Sequence, residues 1–247
     1  MGKRPLVRKR GRGGMQFRAA STGKLKPAKY PSFDLDDTHE GEVIDLVHET
    51  GRDVPLSKVR FEDGSISLIP AILGTRVGSK INFGLKSKSD DGNVISIQNI
   101  PAGTIVCNVE KQFGDGGTMI KSAGGNATVF SHNDKGVVLK LPSGKFATLN
   151  PKNRAMIGTL AGGGVRDRPL MRAGVAWRRF KSKGQKYPIV RGVAQAAVNH
   201  PQGGGRHQHV GQSSTVSRNA PPGAKVGSVA ARKTGRARIK ERKQSIK

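Results

Sequence analysis

The positive charge of this 247-residue chain is concentrated at its two ends, which limits what those ends can fold into. Residues 1–29 carry ten Lys/Arg and no acidic residue, and residues 161–247 carry twenty basic and two acidic residues. Between them, residues 30–99 carry seven basic and twelve acidic residues, and residues 100–160 carry seven and three. Segments with so much like charge and so few apolar residues cannot bury enough surface to offset their conformational entropy. The ends therefore need a polyanionic partner, and the middle must supply the core.

The middle of the chain has the pattern of short β-strands separated by turns. In KVRFEDGSISLI, the pair Asp63-Gly64 predicts a hairpin turn, and KINFGL and NVISIQNI follow. A second series, TIVCNVE, GTMIKSA, ATVFSHN and GVVLKLPSGKFATLN, includes a predicted tight turn at Ser143-Gly144. After Ala161 the strand pattern stops, and the one helical candidate is RPLMRAGVAWRRF.

These patterns predict a mainly β fold built from two small barrels. The chain has only eleven aromatic residues, so two modest cores fit it better than one large core. We expect a basic N-terminal arm, an OB-like barrel, an SH3-like barrel and a long basic Gly/Arg-rich extension, over residues 1–35, 36–100, 101–165 and 166–247.

Composition also indicates the cellular compartment of the chain and the class of its binding partner. No apolar stretch reaches 18 residues, and the basic N-terminus is not followed by the apolar region of a secretory signal. The lone Cys107, in an apolar run, is expected to be a core thiol. The chain is therefore expected to be soluble and cytoplasmic. Nucleic acid is the favoured polyanion, because the basic ends lack the broad apolar face of a membrane-binding helix.

Motifs for common enzyme chemistry are absent from the sequence. Gly23-Lys24 and Gly144-Lys145 lack the upstream glycine and the following Ser/Thr of a phosphate-binding P-loop. There is no GxSxG nucleophile motif and no HExxH metal motif. We therefore predict that the chain is not an enzyme and has no cofactor.

The stretch VNHPQGGGRHQHV, residues 198–210, allows three interpretations. A zinc site would use His200, His207 and His209, but their spacing is unsuitable and a fourth ligand is not near in sequence. Catalysis by His200 would need a nucleophile or an orienting carboxylate, and the chain after residue 160 has only Asp167 and Glu241. The third interpretation is preferred: the glycines allow close backbone approach to RNA, and histidine stacks on or hydrogen-bonds a base.

The same reasoning applies to the arginines around the predicted helix. With Trp177 and Phe180 among the cations, this segment could combine base stacking with phosphate neutralisation. Trp177 could equally anchor the segment on the second barrel. No residue is predicted to be catalytic or to bind metal. The predicted RNA-binding residues are Arg4, Arg8, Lys9, Arg10, Arg12, Arg18, Arg166, Arg168, Arg172, Trp177, Arg178, Arg179, Lys183, Arg191, His200, Gly203, Gly204, Gly205, Arg206, His207, His209, Arg218, Arg232, Lys233 and Arg236.

Several stretches together resemble the universal large-subunit ribosomal protein L2 family, in its archaeal and eukaryotic form. They are LPSGKFATLNPKNRAMIGTLAGGG, RAGVAWRRF, VRGVAQAAVNHPQGGG and the region from residue 211 to residue 236, and they occur in the family's order. The resemblance implies an OB-like barrel, an SH3-like barrel and extensions threaded through large-subunit rRNA. It also implies roles in subunit association, tRNA binding and support of the peptidyl transferase centre.

Under this resemblance, His200 matches a family histidine once proposed to take part in peptide-bond formation. The chain departs from the family pattern beside it, with Gln195-Ala196-Ala197 for Met-Asn-Pro, Asn199 for an acidic residue and Gln202 for a second His or Phe. We therefore predict a scaffolding role for His200. The expected partners are large-subunit rRNA, neighbouring ribosomal proteins and the small subunit on joining, with no membrane and no homo-oligomer. The alternative function is a tandem-barrel translation or transcription factor that binds nucleic acid transiently.

Overall fold

The computed structural model describes residues 6–33, 38–84, 87, 89–232 and 234, and these form two compact units. One unit comprises the described residues of Met1–Ala19 and Lys183–Lys247, and the other comprises those of Ala20–Ser182. We call the second the sheet unit and the first the terminal unit. Among the described residues, no helix has the length and apolar character that a membrane span requires.

The sheet unit contains ten strands. They are β1 (His39–Val47), β2 (Leu56–Phe61), β3 (Ile66–Pro70), β4 (Lys80–Phe83), β5 (Val94–Ser96), β6 (Ile105–Cys107), β7 (Ala127–Asn133), β8 (Gly136–Lys140), β9 (Phe146–Leu149) and β10 (Arg154–Ile157). They pair in the order β3-β2-β1-β4-β5-β10-β6-β7-β8-β9. The pairing is antiparallel except between β4 and β5. The prediction of a mainly β fold is therefore confirmed.

Both predicted hairpins are present, because their turns are specified locally. Gly64, with φ +78°, lies in the turn between β2 and β3, and the Gly64 N–H donates to the carbonyl of Phe61. Gly144, with φ +74°, turns between β8 and β9, and its N–H donates to the carbonyl of Leu141. Left-handed backbone at both positions suits glycine, which has no Cβ to clash.

The expected strand in GTMIKSA is wrong. Its only ladder contact among the described residues is a single bridge between Val109 and Met119. Asn108 and Ile120 both have positive φ, 45° and 56°, and a strand cannot continue through left-handed backbone. This region is therefore a loop packed beside β6.

The apolar side chains of the sheet unit form two clusters. One is centred on Val43, Val59, Phe61 and Phe83, and the other on Ile95, Ile97, Val129 and Leu139. Cys107 is confirmed as a buried, free core thiol in the first cluster. Burial, together with the charge of Asp91, raises the pKa of Cys107 to about 12. The thiol is therefore protonated and unreactive at neutral pH.

The remaining helices and strands are short. Helix α2 (Ala173–Ser182) confirms the helical prediction but begins five residues after Arg168, beyond Pro169. The terminal unit contains helix α1 (Leu6–Arg10) and 3-10 turns at Met15–Phe17 and Gly192–Ala194. It also has a two-stranded parallel pair, β11 (Thr215–Val216) and β12 (Ser228–Val229), in a segment where no strand was predicted.

Candidate nucleic-acid interface

The segment that follows the sheet exposes most of its arginines. Arg166, Arg168, Arg172 and Arg178 are all exposed. Arg179 differs, because it is only partly exposed and its Nη2 lies 3.7 Å from Oδ1 of Asp53. Arg179 therefore links α2 to the loop before β2, while the other four guanidinium groups face solvent.

Trp177 lies on the exposed side of α2. Its side chain is 46 % exposed, and Nζ of Lys181 lies 4.6 Å from the centre of its ring. The buried residue of the helix is Ala176. An exposed indole beside an ammonium group has the arrangement that combines base stacking with a cation–π contact. This placement favours the stacking interpretation over anchoring on the sheet unit.

A cleft of about 540 Å³ lies at the start of this segment. It joins apolar side chains to guanidinium groups, and its lining is Val165, Arg168, Pro169, Leu170, Met171, Arg172, Val175 and Arg179. Such a cleft can hold a flat ring against its apolar side chains and an anionic group beside its guanidinium groups. The base and the phosphate of an unstacked nucleotide have this combination. Sequence reasoning identified the arginines but missed Leu170, Met171 and Val175. The available signal was the apolar pair Leu170 and Met171, which lies just before the helix and within five residues of Val175 in its first turn.

In the terminal unit, the HPQGGG stretch folds back on the residues that precede it. The Gly203 N–H donates to the carbonyl of His200, and the Gly204 N–H donates to the carbonyl of Gln195. A Cβ on Gly203 would lie within 3 Å of the carbonyl oxygens of Gln195 and Ala196. Gly204 and Gly205 have φ of +83° and +82°. The first glycine is thus required by the loop's own packing, and the other two by left-handed backbone.

His200 is part of the same loop. Its Nδ1 accepts a hydrogen bond from the backbone N–H of Gln202 at 3.1 Å, and its ring packs against Gly192. A neutral imidazole that accepts at Nδ1 carries its proton on Nε2, so His200 presents a hydrogen-bond donor. A general base would need the opposite protonation at Nε2.

The described residues contain no group of three His, Cys, Asp or Glu side chains able to hold a metal ion. His207 and His209 are exposed, and Cys107 lies in the core of the sheet unit. The ligands that a zinc site would draw on are therefore not brought together in the part of the chain that the structure describes.

The other predicted RNA-binding residues lie mainly on the surface of the terminal unit. Lys183 is partly buried, and the Arg191 guanidinium donates to Oε1 of Gln208. Arg4, Lys233, Arg236 and the side chain of Arg8 lie outside the described residues. The exposed cations are Lys9, Arg10, Arg12, Arg18, Arg191, Arg206, Arg218 and Arg232.

We expect Gly203→Ala to impair this loop more than Gly223→Ala. The new methyl group at position 203 meets backbone carbonyls that cannot rotate away, whereas position 223 has nothing within 4 Å. Incorporation of each tagged variant into native ribonucleoprotein particles, in competition with the wild-type chain, measures the effect. Gly203→Ala should be severalfold depleted and Gly223→Ala should not. Equal incorporation of the two variants would contradict the packing role of Gly203.

Comparison with known proteins gives consistent matches over nearly the whole chain. Residues 90–225 match the family described as Ribosomal Proteins L2, C-terminal domain. The chain is 77 % identical over 243 residues to the large ribosomal subunit protein uL2 of Cenarchaeum symbiosum, covering 98 % of the chain and all of the relative. It is 75 % identical over 244 residues to uL2 of Nitrosopumilus maritimus, with the same coverage. It is 45 % identical over 236 residues to uL2 of Sulfurisphaera tokodaii, covering 96 % and 98 %.

Proposed function

This chain belongs to the uL2 family of large ribosomal subunit proteins, and we propose that its core and its exposed basic segments have different roles in the ribosome. As a member, it is a structural component of the ribosome and not an enzyme. The ten-stranded sheet supplies the packed core of the chain. The exposed cations of residues 166–178 and of the terminal unit bind rRNA, mainly through its phosphates. In this way the chain supports subunit association, tRNA binding and the peptidyl transferase centre.

The proposal is supported mainly by the exposure of the arginines that follow the sheet. Arg166, Arg168, Arg172 and Arg178 are exposed beside a half-exposed tryptophan and an apolar cleft, outside the two core clusters. Folded RNA offers phosphates at its surface and unstacked bases in loops and bulges. Exposed guanidinium groups beside stacking surfaces match both features.

We also infer that the sheet comprises the two barrels implied by the family. The first core cluster draws mainly on β1–β5 and the second mainly on β5–β10, which supports an OB-like barrel followed by an SH3-like barrel. The boundaries at residues 35, 100 and 165 remain predictions.

Sedimentation tests the proposal. In lysates of cells that produce the tagged full-length chain, we expect it to sediment with the large subunit and to stay there through a mild salt wash. The alternative, a factor that binds nucleic acid transiently, predicts protein near the top of the gradient. Recovery mainly in that top fraction would overturn the proposal.

His200→Ala distinguishes scaffolding from chemistry at the peptidyl transferase centre. In the described structure the backbone N–H of Gln202 donates to Nδ1 of His200, which favours the tautomer with its proton on Nε2, and no carboxylate contact is seen in the loop. We therefore expect fully assembled variant subunits to form peptide bonds at a rate within about threefold of wild type, since loss of a general base costs roughly a hundredfold or more. Single-turnover reaction with puromycin, per assembled particle, measures this rate. A hundredfold loss in particles of normal composition would support chemistry by His200.

A further inference from the structure

Two phenylalanines outside the predicted RNA-binding residues form an exposed pair on the sheet. Phe130 on β7 is 59 % exposed and Phe146 on β9 is 40 % exposed. Their ring centres are 5.0 Å apart, with the ring planes at 66°. By contrast, Phe61 and Phe83 are buried in the first core cluster.

The strand register explains why these rings face outward. Lys140 on β8 lies opposite both Thr128 and Phe146, so these three side chains share one face of the sheet. Val129 and Leu139, also opposite each other, face inward and are buried. Phe130 lies two residues after Thr128 along β7, so strand alternation places it on the same outward face. We call Phe130, Lys140 and Phe146 the aromatic patch.

The charge around the aromatic patch indicates what covers it. Residues 127–149 contain three lysines and one acidic residue, Asp134. Lys140 and Lys145 flank Phe146, whereas Asp134 lies in the β7–β8 turn at the far end of β8. Of the outward residues around the rings, Thr128 bears a hydroxyl group and Lys140 is cationic, while Ile105, opposite Thr128 on β6, is 45 % exposed and apolar. An ammonium group beside exposed rings and an apolar side chain fits an unstacked base together with the phosphate attached to it.

We propose that the aromatic patch is an RNA-binding site in which Phe130 and Phe146 stack on unpaired rRNA bases and Lys140 neutralises a phosphate of the same strand. The proposal rests on the proposed function and extends it, because it gives the sheet unit a direct contact with unstacked bases. Exposed aromatic rings on a β-sheet bind single-stranded segments in this manner.

Photo-crosslinking in assembled large subunits tests what covers the rings. The full chain is produced with p-benzoylphenylalanine at position 130 or 146, incorporated into subunits and irradiated. The expected product is a covalent adduct with rRNA at an unpaired nucleotide. An adduct with another protein, or no adduct from either position, overturns the proposal.

Chemical probing of the same particles tests stacking separately. Phe130→Leu/Phe146→Leu keeps apolar side chains but removes the rings, and Leu73→Ala changes an exposed apolar residue elsewhere. We expect dimethyl sulfate or acylation reactivity at the crosslinked nucleotides to rise roughly fivefold or more in the double variant, and to stay unchanged with Leu73→Ala. Unchanged reactivity in the double variant contradicts stacking. If the wild-type chain itself fails to enter subunits, the proposed function fails instead.

Discussion

Replacing Glu110 by alanine is expected to lower the free energy of unfolding of the sheet unit by about 3–5 kcal/mol, because it breaks a buried ion pair. The Glu110 side chain is fully buried and that of Arg154 is 8 % exposed. Oε1 of Glu110 accepts from Nη2 and Nε of Arg154 at 2.7 and 3.1 Å, and from the Gly116 N–H. Oε2 of Glu110 accepts a hydrogen bond from the backbone N–H of Arg154. Without the carboxylate, a buried guanidinium group loses its counter-charge.

The same ion pair holds the segment before the first strand against the sheet. The Arg154 guanidinium carbon lies over the rings of Tyr30 and Phe113, at 5.5 and 5.6 Å from their centres. Its Nη1 donates to the carbonyl of Pro31, and the Tyr30 hydroxyl donates to the carbonyl of Asn108. Burial raises the pKa of Tyr30 well above its usual value, so the hydroxyl keeps its proton for this bond. We therefore expect Glu110→Ala to speed amide hydrogen exchange around residues 28–33.

Urea unfolding of the full chain, followed by circular dichroism, measures the loss of stability. The matched control is Glu42→Ala, which removes an ion pair to Arg60 whose side chains are 50 % and 56 % exposed. An exposed pair of this kind contributes about 0–1 kcal/mol. If the two variants lose the same stability, burial is not what makes the Glu110–Arg154 pair important.

The features predicted correctly from the sequence are those specified by neighbouring residues. The turns at Gly64 and Gly144 were each predicted from two or three adjacent residues, and the helix was predicted from one continuous stretch of sequence. The position of β10 could not be predicted in this way. Arg154–Ile157 pairs with Val94–Ser96 on one side and with Ile105–Cys107 on the other, about 50 to 60 residues away in the chain. Nothing local marks Arg154, a charged residue, as part of a fully buried strand.

The candidate interface shows the same division. The arginines were predicted to bind RNA from the excess of basic residues after residue 160 and from the aromatic residues among them, and neither signal depends on the fold. The packing of Gly203 against Gln195 and the hydrogen bond from Gln202 to His200 depend on how the loop closes, and sequence alone did not indicate them. The outward position of Phe130 follows from alternation along β7, but its contact with Phe146 depends on the pairing of β8 with both β7 and β9, which the sequence does not indicate.

Replacing Arg166, Arg168, Arg172 and Arg178 together by alanine is expected to weaken binding to a large-subunit rRNA transcript about a hundredfold or more near 0.1 M salt. All four side chains are exposed, so their removal leaves the core clusters unchanged. Each phosphate contact contributes roughly 0.7–0.9 to the slope of log affinity against log salt concentration. Four lost contacts should therefore reduce the magnitude of that slope by about 3.

A control variant with the same change in net charge distinguishes direct contacts with phosphate from the long-range attraction of a chain whose net charge is +27. Replacing Arg76, Lys111, Lys135 and Lys152 by alanine also removes four positive charges from exposed positions, but from loops of the sheet unit outside residues 166–182. If binding depended only on general electrostatic attraction, the two quadruple variants would show the same salt slope, because long-range attraction depends on total charge. Direct phosphate contact predicts a much larger change in slope for the arginine variant. Equal salt slopes would show that residues 166–178 do not contact the RNA backbone.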